Sequence, residues 1–545
     1  MTAYKNVRGN CVPQERNLAL LLGLLIAVTA LLIYANSLRN GFVWDDNVVI
    51  IANPASKGDA LSLFRGIDTA RSSELTPYYR PLTMLTFLIE NRLHGLNPLP
   101  MHFINILLHA ANAFLVYCLA RSVIKDGYAS LLAGLLFVVH PISTEAVNFL
   151  SGGRNTLLAC FFALVAFLLH RRSIIKENIS LAVAGAFFFL AGLFSKETGL
   201  MIIPFIAVQE IPSLRNFSRS GYRAVVRLAP YVICTAIYML LRRSALDAAG
   251  VRIDILTGLG SRLLDNLYII PRYILTITWP FSASPRYYLP EDLHVQALPL
   301  IGAWLGIAVV LGWLLTRGRS RASVFGLSWL VVFWLPASGI VPIPSAPMAD
   351  RYFYIPAIGL WIIVADQLSR LFRSAGEVSR YVTVAAVIVL LVLMMMTIAR
   401  NPDWKNDVAL FSLYVKQNPD QAFGHHNLGC AYLDTMGDLD AAEREFEKAL
   451  SLDPQFPRLR TQMGYIQLLR GDFRSAVRHY NEAIVQNPFD AEAHLNLGMA
   501  LERLGMHDEA IDEYRRFLAV PGNELPESRS YARERIQNLS RLVRE

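Results

Sequence analysis

The sequence predicts an all-α protein in two parts: a polytopic membrane domain of helices over residues 1–400, followed by an α-solenoid of helical repeats over residues 401–545. Two observations predict this fold class. Of the 545 residues, 54% are hydrophobic and only 17% are charged, and the apolar residues gather in runs long enough to cross a bilayer. The last 145 residues instead carry charged, helix-patterned segments with a period of 34 residues. This composition excludes a disordered chain and argues against an ordinary soluble enzyme.

The apolar runs of the first part predict about 11 membrane spans. They fall at about 17–35, 101–121, 128–140, 155–170, 179–194, 199–211, 223–241, 298–316, 323–341, 352–371 and 381–399. The first run has no small-residue cleavage site after it, so it is predicted to be an uncleaved helix. The segment 258–281 is apolar but has Pro271 and Arg272 at its centre, which predicts an interfacial helix on the outer side.

Basic residues between the predicted spans indicate the topology. The net charge of the chain is +8, yet residues 401–545 contain 17 basic and 23 acidic side chains, so the positive excess lies in the membrane part. Topology-setting loops explain this excess better than nucleic-acid binding, and no nucleic-acid partner is predicted. The basic connections contain Arg121, Lys125, Arg171, Arg172, Lys176, Arg215, Arg219, Arg223, Arg317, Arg319, Arg321, Arg370, Arg373 and Arg380.

The positive-inside rule assigns these connections to the cytoplasm. With an inside N-terminus and eleven spans, residues 401–545 are then predicted to lie outside the cytoplasm. That side is the periplasm if the chain lies in a bacterial inner membrane, or the lumen if it lies in the endoplasmic reticulum membrane. If the segment 258–281 crosses the bilayer, the topology after it inverts.

The soluble part contains an internal repeat. Its matching columns are Gly437, Gly471 and Gly505; Ala442, Ala476 and Ala510; and Phe446, Tyr480 and Tyr514. Small residues at a close helix crossing, with an aromatic residue after them, are typical of stacked helix–turn–helix units. The pattern resembles the tetratricopeptide repeat, with three full units, a half-unit at about 404–418 and a cap at about 525–543. Such arrays usually bind peptides or proteins and do not supply catalytic groups.

The predicted outer loops hold the candidate site residues. The first loop, about 36–100, carries Asp45 and Asp46. A lone pair of adjacent carboxylates is more often a solvated turn or a helix cap than a catalytic group. This pair, however, lies at the membrane boundary and precedes the apolar run from Val48 to Ile51. Either carboxylate could act as a general base, or the two could bind a cation.

Six polar motifs follow one another along the predicted outer side. They are Phe42-Val43-Trp44-Asp45-Asp46, Tyr79-Arg80-Pro81-Leu82-Thr83, the segment from Gly95 to Asn112, His140 to Arg154, Ser195-Lys196-Glu197-Thr198-Gly199, and Ala349 to Pro356. Together with the repeats, this ordered series resembles the transmembrane and tetratricopeptide-repeat O-mannosyltransferase family, within the GT-C superfamily of polytopic glycosyltransferases. The resemblance covers nearly the whole chain, although the repeat array is short compared with the animal members.

The resemblance implies transfer of a hexose, with mannose favoured, from a dolichyl- or undecaprenyl-phosphate donor to Ser or Thr hydroxyls of a protein on the outer face. Asp45 and Asp46 occupy the position of the family's acidic motif, with Asp45 favoured as the base and Asp46 as its orienting neighbour. The repeats are then expected to bind the protein acceptor. No metal or cofactor beyond the lipid-linked donor is predicted, because the sequence has no Gly-rich phosphate loop and no zinc spacing.

A lipid-phosphate leaving group requires cations. Arg351 and Lys196 are predicted to bind the donor phosphate, because outer-side positive charge runs against the topology bias. Arg154 and His140 fit the same role or that of snorkelling side chains equally well. The acidic candidates for holding these cations in place are Glu145, Glu197 and Asp350. His102, Asn105 and His109 share one helix face and either line the donor site or bond neighbouring helices.

Two other functions stay open from the sequence. A GT-C transferase could act on a lipid or a cell-envelope glycan, but a protein-binding array suits a polypeptide acceptor better. A non-enzymatic membrane anchor could present the repeats as a scaffold, but it would not need so many spans or charges gathered on one side.

Overall fold

The computed structural model describes residues 13–53, 58–65, 78–214, 219–248, 259–289, 297–338, 347–374, 379–456, 458–521 and 526–543. Throughout these ranges the regular secondary structure is helical and contains no strand, so the predicted all-α fold class is confirmed for the part described. The chain forms two compact units, Met1–Asn406 and Asp407–Glu545.

The helices of the first unit include long apolar helices and several short ones. They are α1 Pro13–Ile33, α2 Ala60–Arg65, α3 Pro81–His94, α4 Pro98–Ile124, α5 Gly127–Val139, α6 Thr144–Asn148, α7 Leu150–Lys176, α8 Ile179–Ser195, α9 Ile203–Leu214, α10 Arg219–Ala248, α11 Leu259–Thr278, α12 Ala297–Leu315, α13 Arg321–Trp334, α14 Asp350–Phe353, α15 Pro356–Ser374 and α16 Ser379–Arg400. Short 3-10 helices join several of them, among them Ala35–Arg39 after α1 and Asn401–Trp404 after α16.

Within the described ranges, four helices are long and apolar enough to cross a bilayer, and a fifth span results if α5 and α6 form one span bent by 53°. Shorter apolar helices at Leu21–Ile33, Ile179–Ser195, Pro299–Leu315 and Arg321–Ala337 accompany them. These helices make the chain a multi-pass membrane protein. The helix α11 covers the segment expected at the interface and is absent from the bilayer-crossing set among the residues described.

The first outer segment is more ordered than the sequence suggested. Instead of one long loop over 36–100, it contains α2 and α3, and part of it lies outside the described residues. Helix α3 ends at Gly95, whose φ of 70° lies in the left-handed region that favours glycine. The segment that joins the predicted spans 323–341 and 352–371 is described only to residue 338 and again from residue 347, and α14 begins there at Asp350.

The core of the membrane unit brings the outer segments together. Helix α4 packs against α1, α5 and α7, and α13 packs closely on α15. Helix α6 folds back onto the first turn of α7, where Gly153 leaves no room for a side chain because a Cβ there would lie 2.1 Å from the carbonyl oxygen of Ala146. Because of this close turn, the first turn of α7 lies next to the segment that follows α1.

The second unit is a succession of helix pairs with one repeating contact. Its helices are α17 Asp407–Gln417, α18 Ala422–Ala431, α19 Leu439–Leu452, α20 Leu459–Arg470, α21 Phe473–Gln486, α22 Ala491–Arg503, α23 His507–Ala519 and α24 Pro526–Leu542. In the middle unit, a Cβ at Gly464 would lie 2.7 Å from the ring of Tyr480, so the two helices cross where the sequence placed a small and an aromatic residue. The turn glycine Gly471 has a φ of 80°.

Candidate active site

The segment after α1 positions the two acidic residues differently. Asp46 is fully buried, and its carboxylate accepts hydrogen bonds from the backbone N–H groups of Val43 (3.1 Å) and Ser151 (2.7 Å). Ser151 lies in the first turn of α7, where backbone N–H groups lack intrahelical partners and favour a carboxylate. Burial raises the pKa of Asp46 to about 7, although these N–H donors oppose the rise. Asp46 therefore fastens its segment to α7.

The carboxylate of Asp45, unlike that of Asp46, is available for a reaction. Its side chain is half-buried, and within the described residues its carboxylate accepts no hydrogen bond. It faces positive charge, because Arg351 and Arg286 both interact with it electrostatically. Burial raises the pKa of Asp45 and the two arginines oppose that rise. An accessible carboxylate with a raised pKa is a better proton acceptor near neutral pH than an ordinary exposed one.

Trp44 sets the direction of Asp45. Its φ is 53°, a left-handed conformation that costs on the order of 1–3 kcal/mol for a bulky residue and needs support from its surroundings. Its ring stacks on Phe149 with a centroid distance of 5.8 Å, and Phe149 stacks on Trp404 at 5.6 Å. The observed strain lies next to the free carboxylate, as strained residues in active sites often do.

Arg351 is one of the two arginines whose charge acts on Asp45. Its backbone N–H donates to a carboxylate oxygen of Glu145 at 2.9 Å, and its guanidinium pairs with the other oxygen of the same carboxylate. Its Cζ atom lies 5.4 Å from the ring centroid of Phe149 and 4.9 Å from that of Tyr352. Glu145 raises the pKa of Arg351 against the effect of burial, so the guanidinium is charged at every relevant pH. Glu145 thus holds Arg351, as the sequence predicted.

Lys196 supplies a second cation on the same aromatic ring. Its Nζ donates to the hydroxyl of Thr156 at 2.9 Å and lies 5.4 Å from the ring centroid of Tyr352. Burial, together with the nearby Arg80 and Arg351, lowers the pKa of Lys196 to about 7. Two buried cations against one ring form an electropositive site that suits an anion such as a phosphate.

Arg80 completes this side of the site and was not among the predicted site residues. Its guanidinium bonds Glu197 at 2.7 Å and lies 3.9 Å from the ring centroid of Tyr78. Glu197 therefore pairs with Arg80, and its charge acts on Lys196 only through space. The signal was present in the sequence, since Arg80 belongs to one of the six motifs and lies on the predicted outer side.

Two predicted phosphate ligands have other partners. Arg154 is fully buried and bonds Glu90, Asn105 and the carbonyl of Met101 (2.8 Å). The Nε2 of His140 bonds the carbonyl of Ile277 at 3.0 Å, and its Nδ1 accepts the N–H of Ile142 at 3.2 Å. A phosphate would have to displace these partners, so the geometry disfavours the donor-binding role predicted for both residues.

The remaining supporting candidates join separate segments. Asp350 accepts a hydrogen bond from the Tyr287 hydroxyl at 2.7 Å and pairs with Arg400 at 3.5 Å, so it holds neither Arg351 nor Lys196. His102 bonds the carbonyl of Gly41 at 3.3 Å. His109 bonds the hydroxyl of Tyr354 at 2.7 Å. Both histidines thus bond segments that adjoin helices, Gly41 before the acidic pair and Tyr354 at the end of α14, in place of a neighbouring helix.

Sequence reasoning missed Glu90 and Arg286. Glu90 lies on α3, in a stretch expected as loop, and nothing marked it as the partner of a buried arginine. Arg286 follows the predicted interfacial segment, and only its outer-side positive charge set it apart. In the part of the chain described, no group of three or more His, Cys, Asp or Glu side chains could hold a metal ion.

Comparison with known proteins adds two results. Models of the tetratricopeptide repeat match residues 424–456 and 461–524, which confirms the repeats. A protein O-mannosyl-transferase of Caenorhabditis elegans is 26% identical, over 83% of this chain and 67% of its own length. The protein O-mannosyl-transferase TMTC3 of Homo sapiens is 25% identical, over 88% of this chain and 53% of its own length. These matches confirm the resemblance that the ordered motifs predicted.

The chain thus spans between about half and two thirds of the length of these curated relatives. Among solved structures, an oligosaccharyltransferase of Archaeoglobus fulgidus in the apo form matches 81% of this chain and 60% of its own, at 15% identity. Its TM-score is 0.34, too low a superposition to support a conclusion about this chain.

Proposed function

We propose that this chain is an integral membrane glycosyltransferase that moves a hexose, with mannose favoured, from a polyprenyl-phosphate donor to Ser or Thr hydroxyls of a protein. The observation that carries the proposal is the half-buried carboxylate of Asp45, on which the charge of Arg351 acts, with Lys196 on the same aromatic ring as Arg351. The relatives named protein O-mannosyl-transferases support the reaction class.

In the proposed reaction, the acceptor hydroxyl oxygen attacks the anomeric carbon of the donor sugar. The bond between that carbon and the phosphate oxygen breaks, and its electron pair leaves with the lipid phosphate. Asp45 takes the hydroxyl proton, so its raised pKa serves the transfer. Arg351 and Lys196 stabilise the charge that develops on the departing phosphate. Asp46 attaches residues 40–46, the acidic segment, to α7 and does not itself contact the substrate.

The donor needs no metal in this scheme, because the two cations neutralise a lipid monophosphate. One guanidinium nitrogen of Arg351 pairs with Glu145. The other makes only a long, weak contact of 3.5 Å with the Tyr352 hydroxyl, so it can donate to the donor phosphate. We propose dolichyl- or undecaprenyl-phosphate as the carrier, and a protein segment bound by the repeats as the acceptor.

We also propose that the site and the repeats lie outside the cytoplasm, in the periplasm or the lumen of the endoplasmic reticulum, because the basic connections favour the opposite side. A reporter that is active only in the cytoplasm, fused after Glu545, should stay silent. The same reporter placed after Arg319, in a connection expected inside, is the control and should be active. A strong signal from the C-terminal fusion would overturn this topology.

The proposed activity is tested by incubating the purified full chain with a panel of dolichyl- and undecaprenyl-phosphate mannose and glucose, and Ser/Thr-containing polypeptides. Transfer to the polypeptide by the wild type, and its loss in Asp45→Asn, is the expected result. Transfer to a lipid or glycan acceptor in place of the polypeptide would support the alternative transferase. No transfer from any donor would refute the proposal.

A further inference from the structure

The segment that ends the membrane unit is bonded to the acidic segment at the other end of the chain. Asn401 follows α16, and its side chain donates to the carbonyl of Ile33 (2.9 Å) and to Asn36 Oδ1 (2.7 Å). Its own side-chain oxygen accepts from Asn148 at 3.0 Å, and its backbone carbonyl accepts from Asn40 at 3.0 Å. These four asparagines, Asn36, Asn40, Asn148 and Asn401, form the asparagine cluster.

Two further contacts extend this attachment toward Asp45. The backbone N–H of Gly41 donates to the carbonyl of Lys405 at 2.8 Å. Trp404 is buried and ends the stack of three rings through Phe149 to Trp44, the residue with positive φ next to Asp45. Residues 401–405 therefore contact the backbone of Gly41 and the side chain of Asn40 directly, and they reach the strained Trp44 through the ring of Phe149.

Burial makes these contacts demanding. Asn148 and Asn401 are fully buried, and Asn40 is nearly so. A buried amide that loses its partner is costly, so the cluster allows few alternative arrangements of the segment before Asp45. The aromatic stack limits Trp44 in the same way, because moving its ring would remove the packing against one face of Phe149, whose ring also stacks on Trp404.

We infer that Asn401 and Trp404 are positioning residues for the proposed transfer: they hold Trp44 in its left-handed conformation and thereby keep the Asp45 carboxylate in line with the acceptor hydroxyl. The segment 401–405 then helps to position the catalytic carboxylate, although it lies next to the repeat unit in sequence. This inference rests on the proposed function.

The test compares two buried tryptophans in the full-length protein. Trp404→Leu breaks the stack, while Trp329→Leu makes the same change in α13, where Trp329 is fully buried among Phe205, Phe325 and Phe333, away from the acidic segment. Trp404→Phe keeps a stacking ring. Misplacing a catalytic group by about 1 Å costs on the order of 100-fold in rate.

Trp404→Leu is therefore expected to lower kcat by about 10- to 100-fold with a donor KM within about threefold of the wild type. Trp404→Phe should recover most of that loss. Trp329→Leu should lower Tm to a similar extent but keep kcat per folded molecule near the wild-type value. An equal loss of kcat in Trp329→Leu, or an unchanged kcat in Trp404→Leu, would overturn the positioning role.

Hydrogen exchange of peptides covering residues 41–46 provides a readout without any substrate. Trp404→Leu and Asn401→Ala should accelerate exchange there, whereas Trp329→Leu should not. If the wild type transfers no sugar, the proposed function fails while this exchange comparison still decides whether residues 401–405 hold the acidic segment. Unchanged exchange in both variants would refute the attachment itself.

Discussion

Arg154 and Arg470 show how differently the two units treat a charged side chain. In the membrane unit, Arg154 is fully buried and bonds Glu90, which α3 supplies from far along the chain. In the repeat unit, Arg470 meets Glu443 and Asp440 at the surface, one helix pair away. Arg154 is therefore a buried charge paired with one buried carboxylate, whereas Arg470 is a partly exposed charge with two carboxylate partners. Losing the first pairing should cost the membrane unit more stability than losing the second costs the repeat unit.

The largest effect is expected where a single residue has no substitute. Asp45→Asn keeps the side-chain volume but removes the proton acceptor, so turnover should fall by about 10²- to 10⁴-fold. Donor affinity should stay the same or rise slightly, because the variant removes a negative charge close to the proposed phosphate site. Initial rates at saturating donor, together with a donor titration, separate the two quantities.

Asp46→Asn serves as the matched comparison. The amide introduced by this substitution would offer one oxygen acceptor and one NH₂ group to two N–H donors, so the attachment to α7 should weaken and the variant should unfold at a lower temperature. Near-normal turnover in both folded variants would rule out the acidic motif as the base. If only the Asp46 variant is inactive and its stability is unchanged, the roles of the two carboxylates are exchanged.

Stability should separate Arg154 from Arg470 directly. Arg154→Ala leaves the carboxylate of Glu90 buried without its partner, which is expected to cost about 3–5 kcal/mol. Arg470→Ala removes a partly exposed pairing and should cost about 0.2–1 kcal/mol. All eight tryptophans lie at or before Trp404, so tryptophan fluorescence follows the unfolding of the membrane unit.

Hydrogen exchange of α19 and α20 reports on Arg470. Comparable losses of stability in Arg154→Ala and Arg470→Ala would contradict the contrast between the two units. A severe activity loss in Arg154→Ala with unchanged stability would instead restore Arg154 as a substrate ligand.

The same contrast explains what the sequence could predict. Gly464 and Tyr480 recur with their neighbours at a fixed period, so the repeat contacts were visible as columns. The bond from Ser151 to Asp46 joins residues 105 positions apart, and that from Asn40 to Asn401 joins residues 361 positions apart. No local pattern encodes such pairings. The motifs therefore indicated the residues of the site without showing which of them are bonded to each other.

Arg154 illustrates the limit. An outer-side arginine has the same sequence signature whether it is free for a phosphate or neutralised by a buried glutamate. Only the unexpected helix α3 brings Glu90 to it. By contrast, Glu145 was one of three acidic residues predicted to hold the cations, and the structure pairs it with Arg351.

A smaller effect is expected at Lys196, whose charge is proposed to bind the donor. Lys196→Met should raise the donor KM by about tenfold, the loss of one modest ionic contact. Since its pKa is lowered to about 7, wild-type Lys196 is charged below that pH and neutral above it. Donor KM should therefore rise as the pH increases through 7. Lys196→Arg should keep a flat profile.

Removing Arg351 would be a less clean experiment, because Glu145 would stay buried without its partner. A donor KM that is independent of pH in the wild type, or an unchanged KM in Lys196→Met, would remove Lys196 from the proposed phosphate site.

The smallest effect should come from a titratable contact in the repeats. His494 bonds the carboxylate of Glu513 through Nδ1 at 2.6 Å and the carbonyl of Pro488 through Nε2 at 3.1 Å. Both partners are acceptors, so both ring nitrogens must carry protons. Burial alone would lower the pKa of His494, but Glu513 and the Pro488 carbonyl raise it above its ordinary value. His425 makes the same pair of contacts with Glu445 and Pro419.

A raised folded-state pKa stabilises the fold fully below the unfolded-state pKa, and that stability is lost as the pH rises through the folded value. Protection of α22 against hydrogen exchange, corrected for the chemical rate, should therefore fall as the pH rises from 6 to 9. The middle repeat carries Arg460, paired with Glu482 at 2.7 Å, at the position 34 residues before His494. With no histidine at this position, α20 should keep its protection, and His494→Gln should remove the pH dependence of α22. A protection of α22 that rises with pH would show that the neutral ring is the stabilising form.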